Sequence, residues 1–422
     1  MSTRPTCALV LLCVVQGCER FAFFAMLPLF VLYLHHRHGF TEPSAILLFG
    51  LFQSLSYVGG LPAGVLIDRK LGPLPALLVG GSLLTLGYSA LALDRDALLW
   101  PALGLMVAGH SFVKPSSSVL LGCLFRANAP LRDRAFLWLH FAINVAGMVG
   151  PLCGGWSSAG HRWDRLFLLS SVVIFAGTFT LAVGMRLLPT HADSTVEKPT
   201  MISEPGERER WWAVWPLCAS SIVFWLTTQQ AGSSLALFAE SHTRRTLSAF
   251  GRVITIGPSH FASVHGLLVL LLLPILMMSM SRLRRCNADP STPTKMIWGY
   301  VATAAAFALL MTAGFLGADS SVVSPLWVFG CYLLLSLAEL LLSPLSMSLI
   351  AQLAPSHRAS QAIGLWFAAS AVGNGLSGAA GLLWERWPTH RYFAGLALLS
   401  LGAASALLSR LSRLERVIRD AH

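Results

Sequence analysis

The sequence predicts an all-α membrane protein with twelve transmembrane helices arranged as two six-helix bundles. Hydrophobic residues make up 55% of the 422 residues and charged residues only 12%, whereas about a quarter of the residues in a soluble domain are charged. The chain also divides into apolar stretches of roughly 20 residues, the length that spans a bilayer as a helix. Twelve such stretches lie near residues 7–34, 44–67, 73–93, 97–124, 134–157, 165–188, 211–240, 256–281, 293–316, 325–353, 359–383 and 390–410.

A single polar segment separates the first six stretches from the last six. We therefore expect an N-terminal bundle over residues 1–188, a cytoplasmic linker over residues 189–210, and a C-terminal bundle with a short tail over residues 211–422. The linker is too short and too polar to hold further spanning helices. The first stretch carries two charged residues and lacks an Ala-x-Ala cleavage site, so it is predicted to be a permanent helix and not a signal peptide.

The net charge of +11 is spread over the loops between helices and forms no single patch, so we expect no nucleic-acid partner. With a cytoplasmic N-terminus, most Lys and Arg residues fall on the cytoplasmic side, as the positive-inside rule requires. The sequence thus predicts a multi-pass inner-membrane protein with both termini cytoplasmic, although Arg244, Arg245 and Arg252 would lie outside. The eight cysteines show no Cys-x-x-Cys spacing and predict neither a metal site nor disulfides. We expect no cofactor, and a monomer.

The first helix carries polar residues where an apolar helix tolerates few. Gln16, Glu19, Arg20, Phe23 and Phe24 recur at intervals of three and four, so they share one stripe of the helix. Ionisable groups at this depth cost several kcal/mol and are kept where they face a polar cavity or a partner. Since Glu19 and Arg20 are about 100° apart around the helix, the sequence predicts that they satisfy each other poorly and need partners from other helices.

Other helices also carry polar or aromatic residues that are suited to a central cavity of the kind found in secondary transporters. Several have simpler interpretations: Asn144 and the serines as helix–helix hydrogen bonds, His265 as a packing residue, and Trp366 as core. Lys114 and Glu339 are harder to explain in this way, because a buried charge without a partner or ligand is costly. In chain order the candidates are Tyr57, Lys114 beside Pro115, Asn144, Gln229 with Gln230, Ser233 and Ser234, His265, Glu339 with Ser343, and Trp366.

Five stretches of the chain form a recognisable set: Cys18 to Phe24; Phe112 to Pro115 with Gly122; Phe141 to Asn144; Phe224 to Glu240; and Ala338 to Pro344, followed by Gly364 to Phe367. Together they resemble the proton-dependent oligopeptide transporters, the POT or PTR family of the major facilitator superfamily, and they run in the order of that family. The first stretch is similar to the family's Glu-x-x-Glu-Arg-Phe-x-Tyr-Tyr motif. The loop that carries Gly64, Asp68 and Arg69 also resembles the loop that this superfamily places after its second helix.

The resemblance implies a role for each matching position. Arg20 and Lys114 would receive the carboxylate of a peptide, and Glu339 would hold its ammonium group. Asn144 and Tyr57 would hydrogen-bond the peptide. The remaining positions are expected to contribute to the substrate site (Trp366, Ser343, His265 and Gln229) or to serve gating and structure (Gly64, Asp68, Arg69, Pro115 and Pro344).

The departures from the family pattern concern proton coupling. Gln16 and Gln229 stand where the family has glutamates, and glutamine does not ionise near neutral pH. Phe23 and Phe24 replace a tyrosine pair, and His265 stands at an asparagine position. Without a charge at Gln229, Lys114 would rely on the substrate carboxylate or Glu19. The remaining coupling candidates are Glu19, His265 and Glu339; our hypothesis is that coupling is weakened or has moved to Glu19 and His265.

These observations favour a transporter that moves di- or tripeptides or peptide-like zwitterions by alternating access, with altered proton linkage. One alternative is a facilitator or exporter of a modified peptide or natural product, and another is a peptide receptor that moves no cargo. The sequence contains no His-Glu-x-x-His, nucleophile-elbow or P-loop pattern, so we do not expect an enzyme. The expected partners are a small peptide, protons and the lipid bilayer.

Overall fold

The computed structural model describes residues 3–124, 129–185, 207–249, 252–286, 288–317, 322–354 and 359–420. A short antiparallel hairpin joins β1 (Thr246–Ala249) to β2 (Arg252–Thr255) in the loop after the seventh predicted helix. The α-helices of these ranges are α1 (Thr3–Met26), α2 (Phe30–His38), α3 (Glu42–Val58), α4 (Gly60–Leu66), α5 (Pro73–Ala92), α6 (Leu99–Leu124), α7 (Ala129–Ser157), α8 (Trp163–Gly184), α9 (Glu207–Thr228), α10 (Ser234–Ser241), α11 (Pro258–Arg285), α12 (Thr292–Leu316), α13 (Pro325–Leu353), α14 (Ala359–Ala380), α15 (Thr389–Leu408) and α16 (Leu411–Asp420).

Each of the twelve predicted spans corresponds to helical structure. Nine helical spans in the described part of the chain are long and apolar enough to cross a membrane. The fifth, seventh and eleventh predicted spans correspond to α7, to α9 with α10, and to α14. The predicted all-α class is confirmed, with the hairpin as a small addition that the sequence did not reveal.

Three of the predicted helices are interrupted. A 3₁₀ turn at Leu27–Leu29, which contains Pro28, separates α1 from α2, because proline lacks the N–H that a continuous helix needs. The chain also turns at Gly59 between α3 and α4. In the seventh predicted helix, a 3₁₀ turn at Gln229–Gly232 separates α9 from α10, and Ser233 leaves helical geometry with φ −128° and ψ −98°. The continuous helix expected over 211–240 is therefore wrong.

The chain forms two compact units. The first unit contains Met1–Gly39 and Leu55–Val196, and the second contains Phe40–Ser54 and Glu197–His422. Helix α3 therefore contributes residues to both. The predicted linker at residues 189–210 lies outside the described residues except for its last four positions.

Glycines bring α1 of the first unit into close contact with α7 and α8. A Cβ on Gly154 would lie 2.4 Å from the carbonyl oxygen of Ala25, and one on Gly177 would lie 2.8 Å from the Cβ of Cys18. Small residues allow helix backbones to approach closely where lipid supplies no hydrophobic driving force. This contact fixes the position of the helix that carries Glu19 and Arg20.

Glycines have the same role in the second unit. A Cβ on Gly373 of α14 would lie 2.6 Å from the carbonyl oxygen of Ile222 in α9, and one on Gly378 would lie 2.8 Å from the carbonyl oxygen of Leu47 in α3. These contacts position the break at Gln229–Gly232, which lies at the end of α9.

The loop after the second predicted helix contains a π-helical turn over Ile67–Leu71 and ends at Gly72, whose φ of +73° favours glycine. Arg69 is exposed there, and Gly64 lies in the preceding helix; the side chain of Asp68 lies outside the described residues. Pro115 and Pro344 lie within α6 and α13, and both helices continue through them. The gating roles of these residues stay predictions.

Candidate functional site

A cluster of hydrogen bonds surrounds Glu19 in the first unit. The Arg20 guanidinium donates to both carboxylate oxygens through Nε and Nη2, and Gln16 Nε2 donates to Oε2 over 3.0 Å. His110 Nδ1 lies 2.8 Å from Oε1. Glu19 is only 4% exposed, and its charge is held by charge-assisted hydrogen bonds, which are about twice as strong as neutral ones.

The expectation that Glu19 and Arg20 satisfy each other poorly is therefore wrong. The arginine side chain is long and flexible enough to return along the helix to the carboxylate of the preceding residue, whatever the angle between the two Cβ atoms. The expected partner from another helix also exists, and it is His110 of α6.

Sequence reasoning missed His110. The signal was present, because His110 precedes Lys114 by four residues and so lies on the same face of α6. The side chain of His110 is fully buried, and its ring meets the Phe23 ring edge-on with centroids 5.1 Å apart. Phe23 thus packs beside the polar cluster.

The two cations of the first unit lie over aromatic rings. Lys114 Nζ is 3.7 Å from the centroid of the Tyr57 ring, and Arg20 Cζ is 4.8 Å from the centroid of Phe23. Cation–π contacts of this kind are worth about 0.5–2 kcal/mol each. The structure therefore brings together residues that the sequence singled out separately on α1, α3 and α6.

A second cluster joins α11 to α13 in the second unit. His265 Nε2 lies 2.8 Å from Glu339 Oε2, and His265 Nδ1 lies 2.7 Å from the hydroxyl oxygen of Ser336. His265 and Glu339 were both predicted site residues. Ser336 was not, although its position three residues before Glu339 places it on the same side of α13.

The Ser336 hydroxyl has two acceptors within reach. Its oxygen lies 2.7 Å from the carbonyl oxygen of Tyr332 as well as 2.7 Å from His265 Nδ1. With its proton on Nε2, a neutral imidazole donates to the Glu339 carboxylate and accepts from Ser336. With a proton on each nitrogen, the imidazolium donates to both partners. The geometry of the cluster thus accommodates both forms of the histidine.

Amide side chains form a third cluster, at the break between α9 and α10. Gln229 Nε2 donates to Asn374 Oδ1 over 3.1 Å, and Gln53 Nε2 lies 3.5 Å from Gln229 Oε1. Gln230 Nε2 donates to the Ser377 hydroxyl over 3.0 Å. Gln53 and Asn374 were also missed by sequence reasoning, since an isolated amide in a helix gives no distinctive pattern.

The serines at the break between α9 and α10 form hydrogen bonds with residues three or four positions earlier in the chain. Gln230 Oε1 accepts hydrogen bonds from Ser234, over 2.7 Å, and from Tyr392, over 2.8 Å. The Ser233 hydroxyl donates to the carbonyl oxygen of Gln229 over 3.2 Å. These bonds satisfy backbone and side-chain groups that the break exposes.

Three further predicted site residues also make hydrogen bonds within their own unit. Trp366 is buried in the core of the second unit, and its Nε1 donates to the Ser346 hydroxyl over 3.1 Å. The Ser343 carbonyl accepts from the same hydroxyl over 3.1 Å. Asn144 Nδ2 donates over 2.9 Å to the carbonyl oxygen of His140, one turn earlier in α7. The substrate roles of Trp366, Ser343 and Asn144 stay predictions.

The chain is similar in sequence to a known protein family and to individual peptide transporters. The family model PTR2, described as the POT family, matches residues 75–198 and 192–389 of the chain. Peptide transporter YePEPT of Yersinia enterocolitica is 28% identical, over 86% of this chain and 85% of the relative. A di-/tripeptide transporter of Lactococcus lactis subsp. cremoris is 25% identical, over 85% and 86% of the two chains.

Solved structures agree on the fold. The crystal structure of peptide transporter POT in complex with sulfate superposes with a TM-score of 0.88, at 23% identity, over 97% of this chain and 95% of that chain. A POT family transporter in complex with 5-aminolevulinic acid gives a TM-score of 0.88 at 21% identity over 96% of both chains. The matched family, relatives and structures are transporters and not enzymes.

Proposed function

Because the chain belongs to the POT family, we propose that it moves di- or tripeptides or similar zwitterions across the inner membrane by alternating access, with proton coupling centred on His265 and Glu339. Both termini would be cytoplasmic, as the distribution of Lys and Arg predicts. The observation that carries the coupling proposal is the 2.8 Å contact between His265 Nε2 and the Glu339 carboxylate.

Each unit carries charged groups of a kind that suits one end of a peptide. The Arg20 guanidinium has five N–H donors and uses two of them on Glu19, so the others can meet a carboxylate together with Lys114. The Glu339 side chain is 37% exposed, so its carboxylate is accessible to an ammonium group. This division of charge agrees with the names of the relatives, which are peptide transporters.

An approaching ammonium group would compete with His265 for the Glu339 carboxylate. Glu339 satisfies a cationic partner only as a carboxylate, so binding of the ammonium would release any proton held between Glu339 and His265. Histidine is the side chain that changes charge most readily near neutral pH. Substrate binding and proton movement would thus be linked at one hydrogen bond, without the glutamates that Gln16 and Gln229 replace.

Glu19 is the weaker coupling candidate. It accepts hydrogen bonds from Gln16, Arg20 and His110, and a carboxyl group that received a proton would lose acceptor capacity toward these donors. We therefore assign Glu19 the task of orienting Arg20 for the substrate.

Uptake of labelled dialanine into proteoliposomes tests the proposal. Wild-type protein is expected to accumulate the dipeptide above equilibrium only with an inward proton gradient and a negative-inside potential. His265→Gln is expected to lose this accumulation while it keeps counterflow, the exchange of labelled for unlabelled dipeptide without a gradient. His140→Gln, on an exposed residue of α7, is the matched control and should behave as wild type.

Other outcomes discriminate the alternatives. Gradient-driven accumulation by the His265→Gln variant at the wild-type level would refute coupling at His265. Equilibration of the dipeptide by wild-type protein without accumulation would indicate a facilitator, which the loss of two family glutamates favours. Binding of dialanine with neither uptake nor counterflow would indicate a receptor.

A further inference from the structure

A groove on the second unit lies between the C-terminal helix α16 and the first half of α9. Its volume is about 450 Å³, and its lining includes Glu209, Trp212, Trp215 and Pro216 from α9, and Arg410 and Arg413 from the other wall. Helix α15, a membrane span, ends at Leu408. The two arginines therefore follow directly after the end of a transmembrane helix.

Helix α16 is anchored through one face. Leu414 and Val417 are buried in the core of the second unit. Glu415 accepts a hydrogen bond of 2.6 Å from the Ser291 hydroxyl, which also caps the start of α12. The wall that carries the arginines is thus held in place, and its basic side chains remain exposed.

The opposite wall has the composition of a membrane interface. Trp212 is 58% exposed and Trp215 is 48% exposed, and both lie in the first turns of α9, a predicted span. Tryptophan is enriched where helices pass from the hydrocarbon core to the headgroup layer. A ligand in the groove would therefore have an apolar part beside the indoles and a charged part beside the arginines.

We infer that this groove binds the headgroup of an anionic phospholipid such as phosphatidylglycerol. Guanidinium groups bind phosphate oxygens through paired N–H donors, and Arg410 uses one Nη1 hydrogen bond on the carbonyl oxygen of Ala406. Glu209 on the opposite wall can accept from a glycerol hydroxyl of the headgroup. Arginines at the membrane surface gain about 1 kcal/mol each from anionic lipid, whereas a neutral phosphatidylcholine headgroup gives no such gain.

Lipid binding to the purified full chain tests this inference. The protein in a neutral detergent is titrated with phosphatidylglycerol or with phosphatidylcholine, and retained lipid is counted by native mass spectrometry. The groove variant is Arg410→Gln with Arg413→Gln. The matched control is Arg416→Gln with Arg419→Gln, which removes the same charge from exposed residues of the same helix that do not line the groove.

Wild-type protein and the control pair should retain phosphatidylglycerol in preference to phosphatidylcholine. The Arg410→Gln, Arg413→Gln variant should bind phosphatidylglycerol about thirtyfold more weakly than wild-type protein, because it loses two contacts of about 1 kcal/mol each. Arg410→Lys with Arg413→Lys keeps the charge and should recover part of the affinity, which separates lipid binding from loss of folding. Equal losses for the groove and control pairs, or equal retention of the two lipids by wild-type protein, would overturn the inference.

Discussion

Replacing Gln16 with glutamate would place a second carboxylate next to Glu19. In the wild-type structure Gln16 Nε2 donates to Glu19 Oε2 over 3.0 Å. Two ionised carboxylates at that distance repel by about 5 kcal/mol at an effective dielectric constant of about 20. Arg20 and His110, which already bond Glu19, offset part of this repulsion. The remainder is relieved when the two carboxylates share a proton, because like charges at one site cannot both ionise.

The Gln16→Glu variant should therefore be less stable than wild-type protein at alkaline pH. The stability gap, defined as the difference in the free energy of unfolding between wild type and variant, should close as the pH falls. Over the pH range in which the folded variant holds the shared proton and the unfolded chain does not, the difference in the free energy of unfolding should widen by up to about 1.4 kcal/mol per pH unit as the pH rises, and it should become constant once the folded pair has lost that proton. Thermal unfolding midpoints in one detergent, measured from pH 5 to pH 8.5, give the gap. Gln16→Met removes the donor without adding charge, so its gap should stay near 1.5–3 kcal/mol, the value of a hydrogen bond to a charged group. A Gln16→Glu gap that is equal at pH 5 and pH 8.5 would refute the reasoning.

Three further sets of substitutions test the packing and hydrogen bonds of the structure. His110→Ala removes a donor from a buried carboxylate and should cost about 1.5–3 kcal/mol, while His140→Ala on an exposed face should change the thermal midpoint little. Tyr57→Phe keeps the ring under Lys114 and should keep the thermal midpoint near that of the wild type, whereas Tyr57→Leu should destabilise the protein by about 0.5–2 kcal/mol; equal midpoints for the two would exclude the cation–π contact. Gly378→Ala places a Cβ 2.8 Å from a backbone carbonyl oxygen and should cost about 1–3 kcal/mol, so an unchanged midpoint would contradict the packing of α14.

The sequence predicted the helices because their signal is local. An apolar stretch of bilayer length is helical wherever it lies, since in lipid each backbone polar group must be satisfied within the segment. The break after α9 was not predicted, because Gln229–Gly232 is as compatible with a continuous helix as with a 3₁₀ turn. The choice is made by tertiary bonds, such as that from Tyr392 to Gln230.

The sequence predicted those site residues whose burial in an apolar helix costs the most free energy. Glu19, Lys114 and Glu339 were recognised because a charge in an apolar helix requires an explanation. His110, Ser336 and Asn374 were missed because neutral polar residues in helices have ordinary structural roles. The spacing of His110 from Lys114 and of Ser336 from Glu339 marks the helix face on which each residue lies, but the partners on other helices cannot be read from any single helix.

The carboxylates of Glu19 in the first unit and Glu339 in the second unit have different hydrogen-bond partners. Glu19 is bonded by a guanidinium, an amide and an imidazole, so its negative charge is matched without an added proton. Glu339 is bonded by His265, whose other nitrogen contacts the Ser336 hydroxyl, and histidine is the side chain that changes charge most readily near neutral pH. Under the proposed function, a carboxylate of the first kind would orient cationic groups and one of the second kind would take part in the proton-linked step. The second cluster would then supply both a titratable group and the carboxylate that the substrate needs, without the glutamates that Gln16 and Gln229 replace.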